Sequence, residues 1–150
     1  MDNEYGMTNV FATLAGALYA VLGISELATA AGADIGLPAW VNISGSILGG
    51  AMLLVIAAVF FRGLAKAGHD AQAGTAFVKV GIFLALVFAG VFLLVLFGNA
   101  LMAYAVGSED YAQWAPWDDV VPLVYAALVP LLGRVALGGM VPQRSEGGAR

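Results

Sequence analysis

Cysteine is absent from the 150 residues, so disulfides, thiolate metal sites and cysteine nucleophiles are excluded. Histidine occurs once, as His69, and one copy of the chain therefore offers neither a bis-histidine haem site nor a multi-histidine metal site. Charge is scarce. Asp, Glu, Lys and Arg make up 11% of the residues, against about 25% in an ordinary soluble domain. Only six of them are basic, the net charge is −4 and the isoelectric point is about 4.6, so no nucleic-acid footprint is expected. Catalytic signatures are missing as well: the chain has no GxSxG, Walker A, HExxH or GxGxxG pattern. No cofactor is expected.

What remains is apolar. The hydrophobic share is 61% and the mean hydropathy +0.91. A soluble domain of this size would lack the polar surface to cover itself in water, so lipid has to act as solvent for much of it. Four long apolar runs stand out, at about 8–31, 39–61, 77–106 and 120–141. Each is near or above the roughly 20 residues that a spanning helix needs. The runs are continuous rather than alternating, which argues against a membrane barrel. In hydrocarbon the backbone must satisfy itself within each segment, which leaves helix. The expected fold is an all-α, integral membrane four-helix bundle of antiparallel spans, in a single domain. The stretch 142–150 reads as a disordered tail.

The connections give a polarity. Arg62, Lys66 and Lys79 flank the second connection, and Arg134, Arg144 and Arg150 lie at or beyond the inner end of the fourth run. The other two connections carry no base. The positive-inside rule then places the second connection and the C-terminus in the cytoplasm, and four crossings put the N-terminus there too. Trp40, Trp114 and Trp117 all fall at the opposite, outer interface, where indole rings prefer to lie. The expected location is a prokaryotic inner (cell) membrane. Ala28-Thr29-Ala30 resembles a signal-peptidase site, but the N-region is acidic (Asp2, Glu4) and no cleavage is expected. Arg62 to Ala76, with glycine at 63, 68 and 74, reads as a polar loop. The third run is long: 27 residues from Val80 to Val106 would measure about 40 Å as a helix. It must tilt, or rise and lift the acidic connection after it as a cap. Pro130 should kink the fourth helix.

Helices in lipid associate through small residues and polar contacts. Ala12, Gly16, Tyr19, Gly23, Glu26 and Ala30 form one stripe along the first run. The second run contributes Gly45, Ser46, Gly49 and Gly50, and the third Gly81, Ala85 and Ala89. These faces suit either a compact bundle or contacts between copies.

Glu26 is the sharpest candidate for function, because an intramembrane carboxylate is costly and often marks an ion or proton pathway. It sits on the small-residue stripe, about 7–8 Å below the outer end of its helix, so the alternative is a carboxylate held by polar neighbours at the interface. Asn42, Asn99 and Tyr125 lie at comparable depth in the other three runs. Together the four would form an outward-opening polar pocket, or else they act as interhelical hydrogen-bond glue. Six acids (Glu26, Asp34, Glu109, Asp110, Asp118 and Asp119) gather on the outer side and would attract cations. The Asp-x-Asp-x-Asp-Gly spacing of a calcium loop is missing, and no dedicated metal site is expected. Arg134 lies about 10 Å from the inner end of the fourth run, either snorkelling to headgroups or facing an anionic ligand.

With Gly-Ile-Ser-Glu at 23–26 and Gly45–Phe61, and in its size and four-run layout, the chain resembles small prokaryotic membrane families such as the DoxX-like proteins. The second-span glutamate of those families is missing and the second connection is long, so the resemblance is not extended to function. Two readings remain. One is a non-enzymatic bundle: a small accessory subunit of a larger membrane complex, or a homo-oligomer. The other is a small proton- or cation-linked transporter or channel using Glu26.

Overall fold

The computed structural model describes residues 2–33, 36, 43, 45–117, 119 and 128–132, with side chains from Gly6 onward. Three long helices dominate: α1 (Asp2–Ala30), α2 (Ile47–Ala67) and α3 (Ala71–Ala100). A single π-helical turn, Leu101–Val106, prolongs α3, and a 3₁₀ turn follows at Glu109–Tyr111. Residues 128–132 form a short fourth helical segment. The described chain has no strand. The stretches Gly6–Ala30, Ile47–Ala67 and Ala71–Val106 are each long and apolar enough to cross a membrane.

The helices are unequal. The 21 residues of α2 measure about 31 Å at 1.5 Å per residue, which matches a hydrocarbon core of about 30 Å. The 29 residues of α1 measure about 43 Å, and the 36 residues of Ala71–Val106 about 54 Å at the same rise. The surplus length carries α1 back to Asp2, more than a turn before the apolar run begins.

Two boundaries differ from the sequence expectation. The second helix starts at Ile47 rather than near residue 39. Gly45 has φ +70°, a left-handed conformation natural to glycine. Ser46 is extended and caps the helix, its Oγ accepting from Gly49 N at 3.0 Å. The expected loop from Arg62 to Ala76 is in fact mostly helix. The alanine-rich sequence propagates α2 to Ala67 and starts α3 at Ala71. Asp70 makes this tight turn possible: its Oδ1 accepts from Gln72 N and Ala73 N, capping α3.

Glycine sets how closely the helices meet. A Cβ added to Gly23 would lie 2.9 Å from the carbonyl oxygen of Gly50, and one added to Gly50 would lie 2.9 Å from that of Gly23. The backbones of α1 and α2 thus touch at a reciprocal crossing. One side of α2 meets α1; another meets α3, where Gly63 faces Val78 and the Gly74 carbonyl. Phe60 fills the space between. Its ring stacks on Tyr19 with centroids 6.1 Å apart, meets Phe11 edge-on at 6.0 Å, and lies against the backbone of Gly81. Ala12, Ala15, Ile56, Ala57, Val78, Ile82, Ala85 and Val129 complete the core. Val129, and the fully buried Pro130, bring the short fourth segment into the same bundle. The kink expected at Pro130 involves flanking residues outside the described ones.

Candidate functional site

Glu26 is buried, with 7% of its surface exposed. Helical periodicity places it on the same face as Thr8, Ala12, Tyr19 and Gly23, all turned into the bundle. The face is the one that the small-residue spacing marks out. One partner lies 20 residues away, at the start of the next helix: Glu26 Oε2 accepts a 2.8 Å hydrogen bond from the backbone N–H of Ser46. Ser46 is the N-cap of α2. In a capping box, a glutamate of the helix's own first turn accepts from the N-cap amide. Here the preceding helix supplies the glutamate. The negative group also sits at the positive end of the α2 dipole. Glu26 and Ser46 together satisfy the N–H groups of Ser46 and Gly49, which would otherwise be costly to leave bare in a membrane.

Gly45 makes this approach possible twice over. Its positive φ turns the chain into the cap. A side chain there would also meet Thr29 Cγ2 at 3.1 Å and Ala30 N at 3.2 Å, on the last turn of α1. The cap and the carboxylate are thus held together by backbone contact on both sides.

Asn99 belongs to a second group. Its Nδ2 donates to Asp119 Oδ2 at 2.8 Å, and Trp114 Nε1 donates to the same oxygen at 3.0 Å. The Trp114 ring meets Tyr104 edge-on at 6.1 Å. Gly107, with φ +67°, ends the π turn, and both its N–H and that of Ser108 bond to Met102 O. The carboxylate of Asp119 therefore ties the connection after α3 back onto the end of that helix. Glu109 and Asp110 stand exposed in this connection.

Glu26 and Asn99, two of the four expected pocket residues, thus bond to different partners: Ser46 and Asp119. No hydrogen bond joins Glu26 to Asn99 among the described residues. Asn42, Tyr125 and Arg134 lie outside the described residues, as do Trp40, Asp34 and Asp118. No three His, Asp or Glu side chains converge as a metal site among the described residues, and no buried polar side-chain atom there lacks a hydrogen-bond partner. Three features were not anticipated from sequence: Ser46 as the partner of Glu26, Asp119 as the partner of Asn99, and a basic cleft at the end of α2. The first had a signal in a serine three residues before Gly49 at the edge of an apolar run, and the third in Arg62 and Lys66 at the second connection.

A family model described as "MJ0565 integral membrane domain" matches residues 2–136. The chain belongs to that family. The matched range includes all the candidate residues from Glu26 to Arg134. Comparison with curated proteins and with solved structures finds no match. The family description and the three apolar helices agree: this integral membrane domain is a multi-pass protein whose solvent is the lipid bilayer.

Proposed function

We propose that the protein is a structural membrane subunit, an accessory chain of a larger complex or a homo-oligomer, rather than an ion carrier. One observation carries this reading: the intramembrane carboxylate of Glu26 closes the N-terminus of α2 through Ser46. A group that cycles between a charged state and a protonated or ion-bound one would weaken its hold on the cap in each cycle, because the charge-assisted hydrogen bond from the Ser46 N–H is the stronger one. A structural group keeps it. The closely packed glycine crossing beside it is consistent with a static role, because it leaves α1 and α2 little freedom to part.

The test pairs transport with stability. In proteoliposomes, the parent chain and Glu26→Gln should show the same proton and cation leak as empty vesicles. Glu26→Ala should lower unfolding stability by about 1–3 kcal/mol, since it strands the Ser46 N–H. Glu26→Gln should lose clearly less, because its amide oxygen still accepts. Flux by the parent that Glu26→Gln abolishes would establish the transport reading instead. Solution mass in detergent then separates the homo-oligomer from the accessory chain.

The proposed orientation has both termini and the α2–α3 turn in the cytoplasm, following Arg62 and Lys66. The absence of cysteine makes this directly measurable. A single His69→Cys should react with a membrane-impermeant maleimide only after cells are opened, and Ser108→Cys in intact cells. The reverse pattern would invert the topology.

A further inference from the structure

The end of α2 carries a feature that the bundle itself does not use. Arg62 and Lys66 stand four residues apart on one face of α2, and His69 follows in the turn to α3. With Ala65 they line an open cleft of about 340 Å³. All four are exposed. None of the three polar side chains is engaged by a hydrogen bond or ion pair with another described residue. No acid lines the cleft among those residues, and the neighbouring Asp70 is turned to α3, where its Oδ1 accepts two amide hydrogens.

Position and donor chemistry agree on the ligand. Since α2 matches the thickness of the hydrocarbon core, Lys66 and the turn after it lie at the inner boundary, and Arg62, about one turn deeper, reaches the headgroup phosphates by snorkelling. The stretch before Arg62 is fully apolar from Ile47 to Phe61, and Phe61 is itself exposed beside the cleft. A ligand there would meet an apolar surface on the membrane side and cations at the rim. Arg62 offers a planar fork suited to phosphate oxygens, Lys66 a mobile point charge, and His69 a ring N–H in either protonation state. We infer that Arg62, Lys66 and His69 form a binding site for the phosphate of an anionic lipid headgroup.

The experiment uses the full chain in micelles containing equal amounts of phosphatidylglycerol and phosphatidylcholine, with retained lipids counted by native mass spectrometry. The parent should retain phosphatidylglycerol preferentially. Arg62→Gln and Lys66→Gln should each reduce that preference about fivefold, and the double variant about 25-fold, from the usual contribution of one base near an anionic surface. Both side chains are exposed, so the thermal transition should not move. Lys79→Gln, an exposed base on α3, should keep the parent preference. Inorganic phosphate provides the second arm. If it fails to displace the lipid, the phosphate is lipid-borne as proposed. If it binds without lipid and with the same dependence on Arg62 and Lys66, the phosphate site stands but the lipid source is overturned. No preference in the parent, or an equal loss in Lys79→Gln, overturns the site itself.

Discussion

Phe60→Ala is expected to lower unfolding stability by about 3 kcal/mol, the low end of the usual range for deleting a buried aromatic ring. Phe60 has no exposed surface, and its ring is where α1, α2 and α3 meet. Truncation would remove the stacking on Tyr19, the edge contact with Phe11 and the surface that fills the gap over Gly81. In a bilayer the unfolded reference is a set of separated helices in lipid, so little hydrophobic transfer energy is lost. The cavity and the forfeited dispersion contacts remain, and they set the size of the effect. Gly81 lies against the ring and several alanines share its cluster, and backbone cannot collapse to refill the space. Reversible denaturation in mixed micelles measures this. A loss under about 1 kcal/mol, the size of one small core deletion, would show that the ring is not the junction of the bundle.

Gly50→Val should be as damaging, by the opposite route. The added Cβ would lie 2.9 Å from the Gly23 carbonyl oxygen and 2.9 Å from Leu27 Cγ. The leucine can rotate away, but a backbone oxygen in a packed helix cannot. The helices must separate, and the cost should reach or exceed about 3 kcal/mol, the top of the ordinary range for overpacking. Separation would also pull Ser46 from Glu26, since both lie within a turn or so of the crossing. The Ser46 amide, protected in the parent, should then exchange with deuterium much faster. Ala51→Val is the control. It adds two methyl groups at the next residue, which is exposed, and should cost no more than about 0.5 kcal/mol. Equal losses in the two variants would refute the close crossing.

The buried faces were legible because two signals coincide in lipid, helical period and small side chains. Ala12, Gly16, Tyr19, Gly23 and Glu26 share one face of α1, and all are buried, with Ala30 half-buried; Gly81, Ala85 and Ala89 of α3 are buried too, but of Gly45, Ser46, Gly49 and Gly50 only Gly50 is. The helix ends were less legible. Hydropathy registers an unbroken run from residue 39 to 61, while the break is made by a left-handed Gly45 and a serine cap, which are conformational features. In the other direction, Arg62 to Ala76 looked like a loop because it is polar, yet polar alanine-rich sequence is good helix. The candidate site was legible only in outline. Spacing marks Glu26 as inward, but its partner is a main-chain N–H, and such partners leave no trace in side-chain pattern. The bond from Asn99 to Asp119 spans 20 residues and depends on how the connection after α3 folds back.

The reciprocal glycine crossing also bears on how the protein is made. Its two halves belong to consecutive helices, so every group needed to form it has been synthesised once α2 leaves the ribosome. Helices that enter a bilayer one after another associate afterwards through such contacts, and domains form from the N-terminus first during synthesis. The α1–α2 hairpin, with Glu26 already seated on the Ser46 amide, would then be a finished template. It would present Phe60, Gly63 and Ile56 as a prepared groove to α3 as that helix enters the membrane. Assembly order is thereby written into the places where side chains are missing.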